Sequence, residues 1–238
     1  MLVGCAGGPP SLPSVGEVQA RFVTALGGRA AIMRPHSVTM RGTYEIYGPH
    51  GKRVRVATVL YLANFKRLDI QSVPGRGRYL SGYDGKIGWA IAPGEKPTIL
   101  AGSQAVSLRR DADLYYWAHI PQYFRKIKVV GVESFAGHRC YHLRGTTLWG
   151  NENNQYYDVA GGLLAGYRFH QWVSDAPEKP ETRQVFERYR SFGGLAFPTR
   201  ETDFTDNRLV GVGRLDSVTY DDVNPRIFVP PATVLKRS

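Results

Sequence analysis

The sequence predicts a mainly β fold, an antiparallel sheet of about ten strands with a few helices. Hydrophobic and polar residues alternate over much of the chain, as in strands that have one buried and one solvated face. The 27 glycines and 15 prolines among 238 residues supply the turns that many short strands require. With 42% hydrophobic residues, a chain of this length can bury a sizeable core.

The first predicted element is a helix over residues 14–26. Ser14 and Glu17 form an S-x-x-E capping box, and apolar residues then recur at helical spacing. Gly27-Gly28 ends this run because glycine favours helix termination. A second short helical turn is expected over residues 29–33.

Strands follow, because the period of the hydrophobic pattern changes from helical to alternating. Val38–Tyr47 and Lys52–Leu62 alternate apolar and polar side chains, and a Gly-Pro-His-Gly turn separates them. The same pattern gives further strand candidates at 65–73, 78–82, 86–92, 126–135, 139–148, 155–159, 163–173, 182–192, 196–204 and 210–221.

One segment interrupts this meander of strands. From Ser103 to Phe124 the apolar residues return to helical spacing, and Pro121 is expected to kink the helix. A helix inserted at this point can lie across the open side of a curved sheet. No repeat or linker divides the chain, so residues 14–238 are predicted to form one domain.

The N-terminal residues 1–13 are expected to form a tether. Leu-Val-Gly-Cys, ending at Cys5, matches the lipobox that closes a bacterial lipoprotein signal peptide, where the cysteine receives the lipid. Glycine and proline follow and suit a flexible tether. The alternative is a chance match in an unstructured N-terminus. Cys140 is the second cysteine, and two cysteines are too few to predict a disulfide framework.

The net charge of +11 requires an explanation. Basic residues occur in small groups, such as Lys52–Arg55 and Arg125–Lys128, and would attract nucleic acid, anionic lipid head groups or acidic polymers. No zinc-finger spacing, RNP-like segment or basic helix with heptads is present, so nucleic acid is not an expected partner. A solvated surface that keeps the protein soluble is the alternative explanation.

The sequence contains no familiar catalytic motif, so no catalytic residue and no cofactor are expected. His138, Cys140 and His142 would share one face of a strand, where three such side chains could hold zinc. Side chains two apart on a strand start about 7 Å from one another, which is too far for ideal binding to a single ion. We therefore expect an exposed strand face there and no metal, with Tyr141 and Leu143 on the core side.

Large apolar and aromatic side chains recur at alternating positions of the predicted strands. They either fill an ordinary core or line a ligand cavity, and periodicity does not separate the two. The cavity candidates on strands are Met40, Tyr44, Val56, Leu60, Leu68, Ile70, Ile87, Trp89, Tyr141, Leu143, Tyr167 and Phe169. Leu114 and Trp117 are candidates for contacts from a helical lid.

The chain resembles the LolA/LolB-like superfamily, in particular the outer-membrane lipoprotein-sorting group. The resemblance rests on six features in the expected order: Ala25–Ile32, the strand that contains Gly42, Gly82–Trp89, Arg109–Asp113, Tyr156–Leu164 and Asp216–Pro225. It implies an incomplete antiparallel β-barrel, or half-barrel, of about ten or eleven strands wrapped around lid helices, with an apolar cavity for acyl chains.

The resemblance also implies a function. We expect a periplasmic lipid or lipoprotein carrier, monomeric and not an enzyme, with Cys5 as an outer-membrane anchor and anionic head groups as its membrane contact. The alternatives are a sensor or interaction module of the same fold, and an enzyme that uses His138, Cys140 or His142.

Overall fold

The computed structural model describes residues 11–170 and 180–235. These residues form thirteen strands: β1 (Val38–Tyr47), β2 (Arg53–Ala63), β3 (Lys66–Val73), β4 (Gly77–Tyr83), β5 (Gly88–Ile91), β6 (Thr98–Leu100), β7 (Phe124–Phe135), β8 (His138–Thr147), β9 (Glu152–Asp158), β10 (Leu164–His170), β11 (Glu181–Phe192), β12 (Leu195–Thr205) and β13 (Arg208–Tyr220). They form one antiparallel sheet in the order β6-β5-β4-β3-β2-β1-β13-β12-β11-β10-β9-β8-β7.

The predicted mainly β architecture is confirmed, but the number of strands is larger than expected. Each strand candidate corresponds to an observed strand, although residues 171–173 of one candidate lie outside the described residues. The further strand is β6, whose three residues are too few to produce an alternating pattern. Within the described residues the edge strands β6 and β7 do not pair, so the sheet is not closed.

The chain crosses the sheet between its two edges. Because β6 and β7 lie at opposite edges, the connection from residue 101 to residue 123 has to span one face. It contains helix α3 (Gly102–Asp111), helix α4 (Tyr116–His119) and a 3-10 turn at Ile120–Tyr123. The insertion predicted to lie across the sheet is therefore helical, but it is broken into separate helices.

Asp113 occupies the break between α3 and α4. Its carboxylate accepts a hydrogen bond from the backbone N–H of Tyr115 at 2.9 Å and from the Tyr123 hydroxyl at 2.7 Å. His119 Nδ1 lies 2.9 Å from the same carboxylate. A side chain that binds nearby backbone in this way competes with helical hydrogen bonding, which explains why the pattern is not one continuous helix.

The two N-terminal helices form as predicted. Helix α1 (Val15–Ala25) begins with the capping box, in which Ser14 Oγ accepts from Glu17 N at 3.2 Å and the Glu17 carboxylate accepts from Ser14 N at 2.7 Å. Helix α2 (Arg29–Met33) follows directly. Both results rest on local signals, which do not depend on how the sheet is assembled.

The helices pack on one face of the sheet, which we call the inner face. Phe22 of α1 packs edge-on between Trp117 of α4 and Tyr157 of β9, with ring centroids 5.7 and 5.2 Å away. Gln19 donates to the Trp117 carbonyl oxygen at 2.9 Å and so ties α1 to α4. Helix α3 contacts β3 to β5, whereas α1 contacts β7 at the other edge, so the sheet curves around one helical layer.

The C-terminal segment covers part of the opposite, outer face. A 3-10 turn at Pro225–Phe228 and helix α5 (Ala232–Leu235) bring Phe228 and Val234 onto Leu68 and Trp89, and all four side chains are buried. In the part of the chain that is described, no helix is long and apolar enough to cross a membrane.

Candidate ligand-binding cavity

A cavity of about 600 Å³ lies between the inner face and the helical layer. Its volume falls in the range of small-molecule binding sites, which is about 300 to 1,000 Å³. Its apolar wall is formed by Leu26, Ile32, Pro35, Val38, Met40, Leu60, Leu62, Leu114, Tyr116, Trp117, Trp149, Tyr167, Phe169, Phe186, Leu195, Ala196 and Phe197. An adjoining cavity of about 350 Å³ shares Met40, Leu60 and Glu201 with it.

The structure brings some of the predicted cavity residues together. Six of them line the main cavity: Met40, Leu60, Leu114, Trp117, Tyr167 and Phe169. Tyr44 lines the adjoining cavity. These strand and helix candidates therefore line one common space.

Other predicted residues lie outside both cavities. Val56, Tyr141 and Leu143 share the inner face but do not line the two cavities, and Leu143 is fully buried in the core. Leu68 and Ile70 lie on the outer face, because β2 pairs with β3 so that Leu60 opposes Asp69.

Trp89 is on the outer face for the same reason of register. It opposes Gly82, which in turn opposes Leu68, so these three residues point to one side. A Cβ atom on Gly82 would lie 2.4 Å from the Trp89 ring, so only glycine leaves room for the indole. Trp89 belongs to the cluster under the C-terminal segment, and Ile87 falls in the turn before β5.

The same register places polar residues in the cavity. Arg67 of β3 lines it, and its guanidinium pairs with Asp69 at 2.9 Å. Arg110 of α3 also lines it, with Nε 2.7 Å from Asp111 Oδ1 and its guanidinium over the Trp149 ring at 5.1 Å. Arg67 and Arg110, which belong to basic groups in the sequence, therefore line the cavity and are paired with acidic side chains.

A carboxyl pair on β12 lies on the inner face, and Glu201 of this pair lines both cavities. Glu201 and Asp203 are two residues apart on one strand and share a face. Gln184 donates to Glu201 at 2.8 Å, and the Tyr44 hydroxyl donates to Asp203 in a short hydrogen bond. Gly211 makes room for Tyr44, since a Cβ atom there would lie 1.9 Å from the Tyr44 hydroxyl oxygen.

This environment shifts the ionisation of the groups in the pair. Burial, followed by the negative charge of Asp203 and a hydrogen bond to it, raises the pKa of Glu201 to about 8. Burial and the hydrogen bond to Asp203 raise the pKa of the Tyr44 hydroxyl far above its usual value, so Tyr44 remains a neutral donor. Sequence reasoning missed this pair, although two acids stand at the same alternating positions as Phe197 in a predicted strand.

The His138, Cys140 and His142 face differs from the expected exposed strand face. His138 is exposed, but Cys140 and His142 are buried. His142 stacks on Tyr156 with centroids 4.8 Å apart, and its Nε2 lies 2.8 Å from Asn154 Oδ1. Among the described residues no group of three or more potential metal ligands is present.

Arginine side chains explain why the part of the outer face around Cys140 and His142 is buried. Arg168 lies over the Phe135 and Tyr156 rings, 5.6 Å from each centroid, and Arg183 lies 4.1 Å from the Phe204 ring centre. Their guanidinium groups lie over the aromatic rings and help to cover an apolar cluster, and Nε of each is buried. Burial, before any other cause, raises the pKa of the Cys140 thiol to about 11. Cys5 lies outside the described residues.

Known structures share this architecture. A LolA superfamily protein from Nitrosomonas europaea matches with a TM-score of 0.64 at 14% identity, over 92% of this chain and 99% of that one. A DUF1329 family protein from Desulfovibrio piger also gives 0.64 at 14%, over 90% and 97%. An outer membrane lipoprotein-sorting protein domain from Vibrio parahaemolyticus gives 0.59 at 7% identity, over 90% and 93%.

These likenesses are at the level of the fold. The chain has the LolA-like fold over nearly its whole length, which confirms the resemblance expected from the sequence at the level of the fold. No family model and no curated protein sequence matches the chain.

Proposed function

We propose that the protein binds the acyl chains of lipids or lipid-modified proteins in its main cavity and carries them in the periplasm. The supporting observation is the cavity of about 600 Å³, whose apolar wall is built by the inner face and the helices together. Burying a ten-carbon chain there would contribute about 8 kcal/mol, at about 0.8 kcal/mol per methylene before the cost of ordering. The fold supports the proposal, since one structural neighbour is a lipoprotein-sorting domain.

A basic rim at one end of the sheet supports an anionic membrane surface as the partner. The β1–β2, β3–β4 and β12–β13 turns lie at this end because the strands alternate in direction. Its exposed cations are Lys52, Arg53, Arg55, Arg76, Arg78 and Arg208. Exposed apolar side chains stand among them: Ile46, Tyr79 and Leu209. Cations near a bilayer contribute about 1 kcal/mol each, and apolar side chains can enter the head-group region.

The rim is tested by vesicle flotation. Wild-type protein should float with phosphatidylglycerol-containing vesicles and not with phosphatidylcholine alone. Replacing Arg53 and Arg78 by glutamine together should weaken flotation several-fold. The matched control replaces Lys86 and Arg139, two exposed cations at the opposite end, and should float like wild type. Equal loss in both double variants would show that net charge, rather than the rim, determines binding.

The cavity is tested by native mass spectrometry with lipid extraction, on protein purified under mild conditions from bacterial membranes or periplasm. We expect a bound mass that matches a phospholipid or an acylated peptide. Leu60→Asp should abolish it, because Leu60 lines both cavities. Val229→Asp is the matched control, since Val229 is 62% exposed and lies outside both cavities.

The outcomes separate the candidate functions. Lipid retained by folded Leu60→Asp would contradict the assignment of the cavity. A wild-type protein that carries no lipid and takes up none would overturn the carrier proposal, and the sensor or interaction function would then be the one to pursue. Attachment of a lipid to Cys5 is a separate proposal, tested by the mass of the N-terminal peptide from the membrane fraction.

A further inference from the structure

The main cavity belongs to a basic protein but carries an acidic site. Glu201 lines both cavities, and Asp203 stands beside it on β12 with only 8% of its surface exposed. Tyr44 donates its hydroxyl to one Asp203 oxygen, and Gln184 donates to Glu201. The protein thus supplies each carboxyl with one neutral donor.

Arg67 and Arg110, the two arginines that line the main cavity, already have partners, whereas Arg41 and Arg214 of the adjoining cavity are exposed to solvent. On β3, Arg67 pairs with Asp69 at 2.9 Å, and on α3, Arg110 pairs with Asp111 at 2.5 Å. Across the described residues, no cation forms an ion pair with Glu201 or Asp203.

Asp203 also keeps an unused acceptor. When Glu201 is ionised, the buried Oδ1 atom of Asp203 has no hydrogen-bond donor among the described residues. A buried acceptor without a donor is costly, so a ligand group that donates hydrogen bonds would be favoured beside Glu201. One further buried polar atom without a hydrogen-bond partner, Asn153 Oδ1, belongs to a residue that lines the same cavity.

We propose that Glu201 and Asp203 bind the primary ammonium group of an amphiphile whose aliphatic chain fills the apolar part of the cavity. This inference rests on the proposed function, because it assumes that the cavity holds an acyl or alkyl chain. An ammonium group is compact, carries one positive charge and has three donors, so it can satisfy both carboxyl groups at once. An anionic head group would instead meet a carboxyl pair that lacks a cation.

Binding exchanges a proton for the ammonium ion. Without ligand, burial first and the negative charge of Asp203 second favour a proton on Glu201, which is why its pKa is raised. When R–NH₃⁺ enters, its positive charge compensates the second negative charge of the pair. Glu201 then ionises, and one H⁺ leaves to the solvent. The ligand remains protonated because alkylamines titrate near pH 10. The charged and titratable neighbours of Glu201 are Asp203 and Tyr44, with the paired Arg67–Asp69 and Arg110–Asp111 on the facing elements and the exposed Arg41 and Arg214 at the adjoining cavity.

The experiment compares decylamine with 1-decanol, both below the concentration at which they aggregate. Isothermal titration at pH 7 in two buffers of different ionisation enthalpy gives the affinity and the number of protons released. For the wild type we expect decylamine to bind about ten- to a hundredfold more tightly than decanol, the range for a buried hydrogen bond to a charged group. We expect the release of about 0.9 proton per decylamine, since a carboxyl with a pKa of about 8 is mostly protonated at pH 7.

Glu201→Gln separates the head-group site from the chain site. The amide has the shape of the protonated carboxyl, so decanol binding should be unchanged, while the preference for decylamine and the proton release should both disappear. Glu187→Gln is the matched control, because Glu187 on β11 is exposed and pairs with Arg200 at 3.3 Å. It should behave like wild type.

Each result decides between the two proposals. If decanol binds but decylamine binds no better and releases no proton, the ammonium site is refuted and the cavity function stands. If neither compound binds, the cavity function itself is refuted. Proton release by the wild type tests the ammonium site even if Glu201→Gln does not fold.

Discussion

Replacing Glu201 by glutamine should remove a specific pH dependence of stability. In the folded protein the pKa of Glu201 is raised from 4.5 to about 8, above its value in the unfolded chain. The folded state therefore binds a proton that the unfolded state releases. A carboxyl shifted in this direction destabilises the fold progressively as the pH rises from about 4.5 to about 8.

The size of the effect follows from the linkage relation. Each unit of pKa difference corresponds to about 1.4 kcal/mol, so the slope of the unfolding free energy is at most about 1.4 kcal/mol per pH unit in this range. Between pH 5 and pH 8 this group should cost the wild type about 3 kcal/mol of stability. Glutamine carries no charge at any pH, so Glu201→Gln should lose this dependence and be the more stable protein at pH 8.

The measurement is urea unfolding at pH 5, 6, 7 and 8, followed by the fluorescence of the four tryptophans. The quantity to compare is the difference between wild type and Glu201→Gln at each pH, because other titrating groups are common to both proteins. Glu187→Gln should give a difference that does not vary with pH. A constant difference for Glu201→Gln as well would refute the protonated carboxyl, and with it the proton exchange proposed for ligand binding.

Three further predictions test the packing of β10 against β11, the outer-face cluster around Cys140 and the N-terminal cap of α1. Gly166→Ala should destabilise the protein by more than about 2 kcal/mol in urea unfolding, because the Cβ atom of the alanine would lie 2.0 Å from the Gln184 carbonyl oxygen. An unchanged unfolding midpoint would contradict the packing of β10 against β11. Cys140 should react with a thiol reagent only after denaturation, because the thiol is buried and its pKa is raised to about 11. Fast labelling of the native protein would be evidence against the outer-face cluster. Ser14→Ala should cost about 1 kcal/mol through loss of the α1 cap, and Glu17→Gln, which keeps an acceptor at that position, should cost less.

The elements predicted correctly are those whose signals are local. The capping box of α1 and the turn of α2 are complete within a few residues, so the sequence determines them without reference to the sheet. The division of the 103–124 segment was not predictable in this way. It depends on Asp113, whose carboxylate is held by Tyr123 and by the backbone of Tyr115. Nothing in the helical pattern identifies Asp113 as the break.

The faces of the strands could not be assigned from alternation alone. Alternation shows which residues of one strand share a face. The register of each hairpin decides which residues of the next strand lie on that same face of the sheet. Leu60 and Leu68 looked equivalent in sequence, yet the pairing of Leu60 with Asp69 puts them on opposite faces. Both faces of this sheet are apolar in places, because helices cover one and the C-terminal segment covers part of the other. An apolar residue therefore does not reveal its side.

The same strand register determines which part of the cavity wall is polar. Pairing Leu60 with Asp69 removes Leu68 from the inner face and places Arg67 and Asp69 there, next to the carboxyl pair of β12. Another part of the wall is apolar, with Leu114 and Trp117 of the helical segment among its residues. Burial of an aliphatic chain is favourable only along the apolar part, and a polar head is accommodated without cost only where hydrogen-bonding groups remain. A bound amphiphile should therefore lie with its chain towards Trp117 and its head towards Glu201. A spin label on the head group should broaden the NMR signals of residues around Glu201, and a label at the chain end should broaden those of Trp117.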